Sequence, residues 1–124
     1  MNNQELFLEY LKAYNAKDVT RMLSCFAEDC VFENVSAGKV NVRTTNKAEL
    51  EALAGKAAEA FASREQQVLS VTEGQGRLAA EIDYHAVLQA DLTPELKAGS
   101  RLHLRGVSVL EFSAGKILRL TDYG

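Results

Sequence analysis

The sequence predicts an α+β domain in which a curved antiparallel sheet wraps around three helices. Three observations lead there. Apolar residues fall at helical spacing in three separate stretches, all in the first half of the chain. From residue 65 to the end the dominant period is two, the signature of strands. The two regimes do not alternate, which sets this chain apart from parallel βαβ architectures and gives the order α-α-β-α-β-β-β-β.

Each element has a local justification. Residues 3–16 carry Leu6, Phe7, Tyr10, Leu11 and Tyr14 on one helical face. Asn15-Ala16-Lys17 interrupts that face, and Asp18 offers a side-chain cap to a second, shorter helix that buries Val19, Met22, Leu23 and Phe26. Residues 29–35 read as a strand, rich in β-branched and aromatic side chains. Residues 36–45 read as loop with a short edge strand at 39–43. Asn46 with Glu49 three residues on has the form of a capping box, and Leu50, Leu53, Ala57, Ala60 and Phe61 line one face of the third helix. Residues 65–73 form a strand, Gly74-Gln75-Gly76 turns the chain, and 77–91 form a long strand with separated faces. Leu78, Ala80, Ile82, Tyr84, Ala86 and Leu88 share one side of it; Glu81, Asp83, His85 and Gln89 share the other. A loop at 92–100 holds the one proline, Pro94; strands at 101–112 and 116–123 follow, joined by Ser113-Ala114-Gly115.

The totals bound the function. At 124 residues the chain suits a single domain, 1–124, with one core. A net charge of −3 without a basic patch excludes a nucleic-acid footprint, and no apolar run has the length of a membrane span. The start, Met-Asn-Asn-Gln-Glu, lacks a basic and apolar leader, which points to the cytoplasm. Cys25 and Cys30, five apart, read as buried reduced thiols, since a metal or redox pair needs a tighter motif. A long sheet with one apolar face against a helix rich in alanine curls around it, and such curling leaves a cavity of the kind small molecules occupy.

Two segments carry a resemblance. Tyr10-x3-Tyr14-Asn15-Ala16-x-Asp18 followed by Phe26-Ala27-Glu28-Asp29-Cys30-Val31-Phe32-Glu33 is similar to the opening of the nuclear transport factor 2 superfamily, in its SnoaL-like and ketosteroid-isomerase-like branches. Arg105-Gly106-Val107-Ser108-x3-Phe112-x2-Gly115-Lys116-Ile117 resembles the closing hairpin of the same superfamily. The resemblance spans essentially the whole chain and implies a cystatin-like cone, dimerisation through the outer sheet face, and no cofactor.

It also implies site residues. Tyr10 falls where the isomerase branch places a phenol that donates to a developing enolate oxygen. Asn34 falls where that branch has its proton-shuttling carboxylate, and an amide cannot serve as a base. Ser108 falls where isomerases and polyketide cyclases have a functional aspartate, and a hydroxyl only donates or accepts hydrogen bonds. The known isomerase and cyclase mechanisms therefore lack two of their three parts. Asp122, on a strand face with Leu118 and Leu120, is the ionisable group left near the expected cavity. Asp122-Tyr123 also resembles the limonene-epoxide-hydrolase-like branch. So does Glu81-Ile82-Asp83, with Glu81 where that branch has arginine, although strand alternation turns Asp83 away from the apolar side.

The residues admit plainer readings too. Tyr10 and Tyr14 suit core packing as well as a site, Asp122 suits an ion pair with an arginine near the C-terminus, and Asn34 suits a local strand-end hydrogen bond. Asp83, His85 and His103 form the one metal-like group, but nothing local fixes their spacing, so no metal is expected. With Asp122 and Tyr10 as catalytic candidates, and Asn34, Ser108, Tyr14 and Tyr84 as ligand contacts, the expectation is a SnoaL-like domain with an apolar pocket. Its chemistry would be that of an isomerase, cyclase, lyase or hydrolase working by proton transfer on a small apolar molecule. The alternative is a non-catalytic ligand-binding or dimeric interaction module of the same fold.

Overall fold

The computed structural model describes residues 1–124. Helix α1 spans Asn3–Asn15 and α2 Val19–Leu23; strand β1 spans Phe26–Ser36 and β2 Lys39–Thr44; helix α3 spans Lys47–Ala60. Strands β3 (Phe61–Gly74), β4 (Arg77–Leu88), β5 (Arg101–Ser113) and β6 (Lys116–Tyr123) complete the chain. The edge strand expected at 39–43 is present as β2, and β3 begins four residues earlier than its alternation suggests, directly at the end of α3.

One six-stranded sheet has the order β2-β1-β6-β5-β4-β3. All neighbours are antiparallel except β1 and β6, which run parallel. This parallel pair inserts the last strand beside the first and brings the two halves of the chain together in mid-sheet. Bulges interrupt the β1–β2, β3–β4 and β5–β6 ladders. Each bulge adds local bend and twist, and the sheet curves without closing.

Caps fix where the helices start. Asn2 accepts from the Glu5 amide at 2.8 Å and its own amide donates to the Glu5 carboxylate at 3.0 Å, a reciprocal box that opens α1. Asp18 accepts from the Arg21 amide at 3.1 Å, as its position before α2 predicts. At α3 the box is altered. Asn46 accepts from the Glu49 amide at 2.8 Å, but the Glu49 carboxylate takes the amide and hydroxyl of Thr45, one residue upstream of the cap.

The core lies at the closed end, where Leu6, Phe7, Tyr10 and Leu11 of α1 meet Phe26, Leu78, Leu110 and Ile117. Burying each such large side chain contributes about 1.5–3 kcal/mol. Helix α3 behaves differently. Only Leu50 and Ala54 of its inner face are fully buried, while Leu53 and Ala57 are half-buried, because they look into open space beneath the sheet instead of into packed side chains.

Candidate active site

That space is a cavity of about 450 Å³, within the range of small-molecule sites. Of the 25 residues lining it, 17 are hydrophobic. They come from all three helices and from every strand, so the cavity exists because the sheet curls away from α3. Gly106 helps to shape its open end. A Cβ there would sit 2.5 Å from the Tyr123 carbonyl oxygen, so only glycine lets the end of β6 lie this close to β5.

Strand register assembles the polar part. Asn34 on β1 pairs with Asp122 on β6, Asp122 pairs with Ser108 on β5, and Ser108 pairs with Ala80 on β4. The three polar side chains therefore form one row across the inner face, with the carboxylate in the middle. Ser108 is buried and its hydroxyl donates to Asp122 Oδ1 at 2.6 Å. Asn34 donates to Asn41 Oδ1 at 2.9 Å, which holds its amide in place and leaves its carbonyl oxygen facing no protein donor. Asp122 itself is half-buried among the cavity-lining residues. Burial pushes its carboxyl up to about 6, against the opposing pull of the Ser108 hydrogen bond. It enters no ion pair. The nearest arginine in sequence, Arg119, lies on the outer face against Glu33 at 2.6 Å and Glu111 at 3.6 Å, which removes the ion-pair reading of Asp122.

A tyrosine cluster lines the same cavity. Tyr10 is buried edge-on against Phe26, with ring centroids 5.5 Å apart. Burial, reinforced by the charge of Asp122, holds its phenol far above the ordinary range, so it stays protonated and available as a donor. The hydroxyls of Tyr14 and Tyr84 meet at 3.0 Å, and burial raises both. Each of Tyr10, Tyr14, Asn34, Tyr84, Ser108 and Asp122 thus borders one cavity.

Asp83 does not. It points outward, as the alternation of β4 requires, and accepts from His103 at 2.7 Å and His85 at 3.1 Å. The epoxide-hydrolase-like alignment of Glu81 and Asp83 therefore brings neither of them into the cavity. The metal-like trio does assemble, its ligand atoms all within 4.8 Å of one another, on the outer face.

Two inner residues carry no signal in the sequence motifs: Arg64 and Gln66, both buried on β3 and both lining the cavity. They sit in Arg64-Glu65-Gln66-Gln67, a polar stretch in which helix α1 decides which side chains go in. Asn15 clamps the Gln66 backbone, accepting from its amide at 2.8 Å, and the Tyr14 carbonyl accepts from Arg64 Nε at 2.9 Å.

Residues 7–120 match the SnoaL-like domain family. The chain belongs to that family. Among curated proteins none matches the sequence. Of solved structures, this SnoaL-like protein is similar to two described as "putative polyketide cyclase". The one from Xanthomonas campestris pv. campestris has a TM-score of 0.83 and 23% identity, over 98% of this chain and 88% of that one. The one from Pseudomonas putida KT2440 has a TM-score of 0.79 and 26% identity, over 100% and 92%. An LEH-like epoxide hydrolase from M. tuberculosis shares the fold at a TM-score of 0.76 and 16% identity, over 96% and 79%. The expected superfamily, the α+β class and the apolar pocket of a SnoaL-like domain all stand.

Proposed function

We propose that this SnoaL-like protein is an enzyme that binds a small, largely apolar molecule in the cavity and moves a proton on it through Asp122. One observation carries the reading: a carboxylate without an ion-pair partner, held by a serine hydroxyl on a mostly apolar wall, with its acidity tuned to about 6. A base poised near the working pH is both available in its charged form and strong enough to take a proton. Such tuning is what acid–base catalysis needs.

The residues divide the work by chemistry. Ser108 occupies Oδ1 of Asp122 and orients the carboxyl, leaving Oδ2 to exchange the proton. Tyr10, kept neutral by burial, donates to the oxygen on which charge builds as the proton leaves carbon. Asn34 offers a carbonyl acceptor and Tyr84 a hydroxyl for orienting the substrate. This differs from the isomerase and cyclase pattern, because the carboxylate sits on the strand between the two positions where those enzymes carry theirs. The reaction class is proton transfer at an activated carbon, or protonation-assisted ring closure or opening.

The test is an NMR titration of the Asp122 carboxyl carbon. We expect an apparent pKa near 6; a value at or below the free-aspartate range of about 4 removes the acid–base role and leaves a binding module. We also propose that the protein is a cytoplasmic homodimer joined through the outer faces of β4 and β5. Arg101, Arg105, His103 and the half-exposed Val107 support this, because they stand on that surface without helical cover. Sedimentation equilibrium of the wild type and of Val107→Glu checks the dimer, and fractionation of host cells checks the compartment.

A further inference from the structure

Arg64 poses a problem that the proton-transfer reading leaves unsolved. Its side chain is 5% exposed, and it enters none of the ion pairs in the molecule. Its Nε donates to the Tyr14 carbonyl at the C-terminal end of α1, and its guanidinium carbon lies 3.7 Å from the centre of the Tyr14 ring. Those contacts fix the guanidinium plane. The carbonyl and the ring face offset only part of its charge. The Nη2 atom is buried with no hydrogen-bond partner, one of only two such side-chain atoms in the protein.

Burying a cation without a counter-charge is among the costliest things a fold can do. Asp122 does not fill that role, since its carboxyl answers to burial and to Ser108 and not to Arg64. Arg64 lines the cavity, and so does Tyr14 beneath it. The cation therefore stands oriented, desolvated and unmatched at the wall of a mostly apolar chamber.

We infer that Arg64 receives an oxyanion of the ligand, so that the molecule bound here is an apolar body carrying a carboxylate or a chemically equivalent acidic group. The inference rests on the reading of the cavity as a small-molecule site. A planar guanidinium matches a carboxylate by paired N–H donors, and inside a low-dielectric pocket such charge-assisted bonds are worth far more than in water. Arg64 anchors the acidic end and the apolar wall takes the body. The reacting part then lies toward the Asn34–Asp122–Ser108 row. A neutral molecule of the same shape leaves the guanidinium unsatisfied and is discriminated against for that reason.

Two fluorescent probes test this: anilinonaphthalene sulfonate and phenylnaphthylamine, which is the same aromatic body without the sulfonate. Both are titrated into the wild type and into Arg64→Met, which keeps the length of the stem and removes the charge. Saturable binding of one probe per chain, with near-ultraviolet circular dichroism unchanged, separates cavity binding from adsorption to a loosened fold. The expected result is a preference of about tenfold or more for the sulfonate in the wild type. In Arg64→Met that preference disappears while the affinity for the neutral probe holds. Loss of an unmatched charge also leaves Arg64→Met at least as stable as the wild type. Equal affinity for the two probes in the wild type overturns the inference without touching the cavity. So does a preference that survives in Arg64→Met. Should the variant not fold, the wild-type ratio alone decides. Binding of neither probe overturns the small-molecule reading, and this inference with it.

Discussion

Asp122 and Asp83 are the same residue type on opposite faces of one sheet, and their surroundings drive them in opposite directions. Asp122 looks into a mostly apolar chamber with the Ser108 hydroxyl as its one hydrogen-bond partner, and burial pushes its carboxyl up to about 6. Asp83 stands on the outer face between two imidazoles, and the His103 hydrogen bond, helped by His85, holds its carboxyl below the ordinary range. One carboxylate is satisfied by the protein and the other is left wanting. Unfinished solvation of this kind marks a site prepared for something that arrives later. In the outer trio, whose imidazole rings stack 4.3 Å apart, each carboxylate oxygen of Asp83 already has a histidine partner.

Asp122→Asn breaks this comparison most severely. Because the folded-state pKa of Asp122 is raised above the unfolded value, its ionised form is the disfavoured one in the fold. The unfolded chain releases the proton first, so this group makes stability fall as pH rises from about 4 to about 6, and the penalty persists above that. It amounts to about 3 kcal/mol at pH 7 as an upper figure. An amide carries no such penalty and can still accept from Ser108. Asp122→Asn is therefore expected to be more stable than the wild type at pH 7, and equal to it near pH 4, while proton transfer stops. Urea denaturation at the two pH values reads the first effect. A variant that is equally stable at both, or weaker at pH 7, shows that the carboxylate is not desolvated and ends the contrast with Asp83.

A smaller change sharpens the contrast. Ser108→Ala removes the one hydrogen bond that opposes burial at Asp122. Losing a donor to a charged acceptor costs the ionised form about 1.5–3 kcal/mol, so the apparent pKa of Asp122 moves up by about one to two. The NMR titration that reads the wild type reads this too. The pH profile of any turnover shifts to higher pH with it, whereas a role for Ser108 in packing alone leaves the profile where it was.

Much of this arrangement was legible in the sequence, and the limits of legibility are physical. Period-two alternation placed Asp83 and His85 outside and Tyr84 inside, because strand geometry leaves no other choice once one face is buried. It also put Asp122 inside with Leu120, whereas Leu118, expected on the same face, is half-buried and borders neither core nor cavity because the β5–β6 bulge takes it out of register. The N-caps at Asp18 and Asn46 stood out because so few side chains can satisfy a helix start. The carboxylate's neighbours are another matter. Ser108 faces Asp122 across the β5–β6 hairpin, whose turn at Ser113-Ala114-Gly115 the sequence shows, but Asn34 flanks Asp122 only because β6 inserts parallel to β1, a pairing between strands about ninety residues apart that no local pattern encodes. Arg64 and Gln66 escaped for a related reason. In Arg64-Glu65-Gln66-Gln67 every residue is polar, so hydrophobic alternation is silent, and it is the C-terminal end of α1 that turns the first and third of them inward. Leu53 and Ala57 keep helical spacing yet remain half-buried, because spacing reports which face turns inward and not whether anything fills the space it turns toward.

The gentlest test is on the outer face. Asp83→Asn removes a carboxylate whose folded pKa is depressed, so its contribution is present above the unfolded pKa and lost as pH falls through the lower, folded value. The side chain stands at the solvent-exposed surface between two exposed histidines, where screening by water and salt leaves little of that contribution. The expected result at pH 7 is a loss of stability close to the error of a denaturation curve, smaller still in high salt. The titration of Asp122 is expected to be unchanged, because the sheet itself separates the two carboxylates. That second readout matters more than the first. If Asp83→Asn moves the Asp122 pKa, the two faces are coupled through β4 and β5, and the outer histidines become part of the machinery that sets the inner acid. If it does not, the inner carboxylate owes its acidity to the cavity alone, and whatever fills that cavity governs the proton.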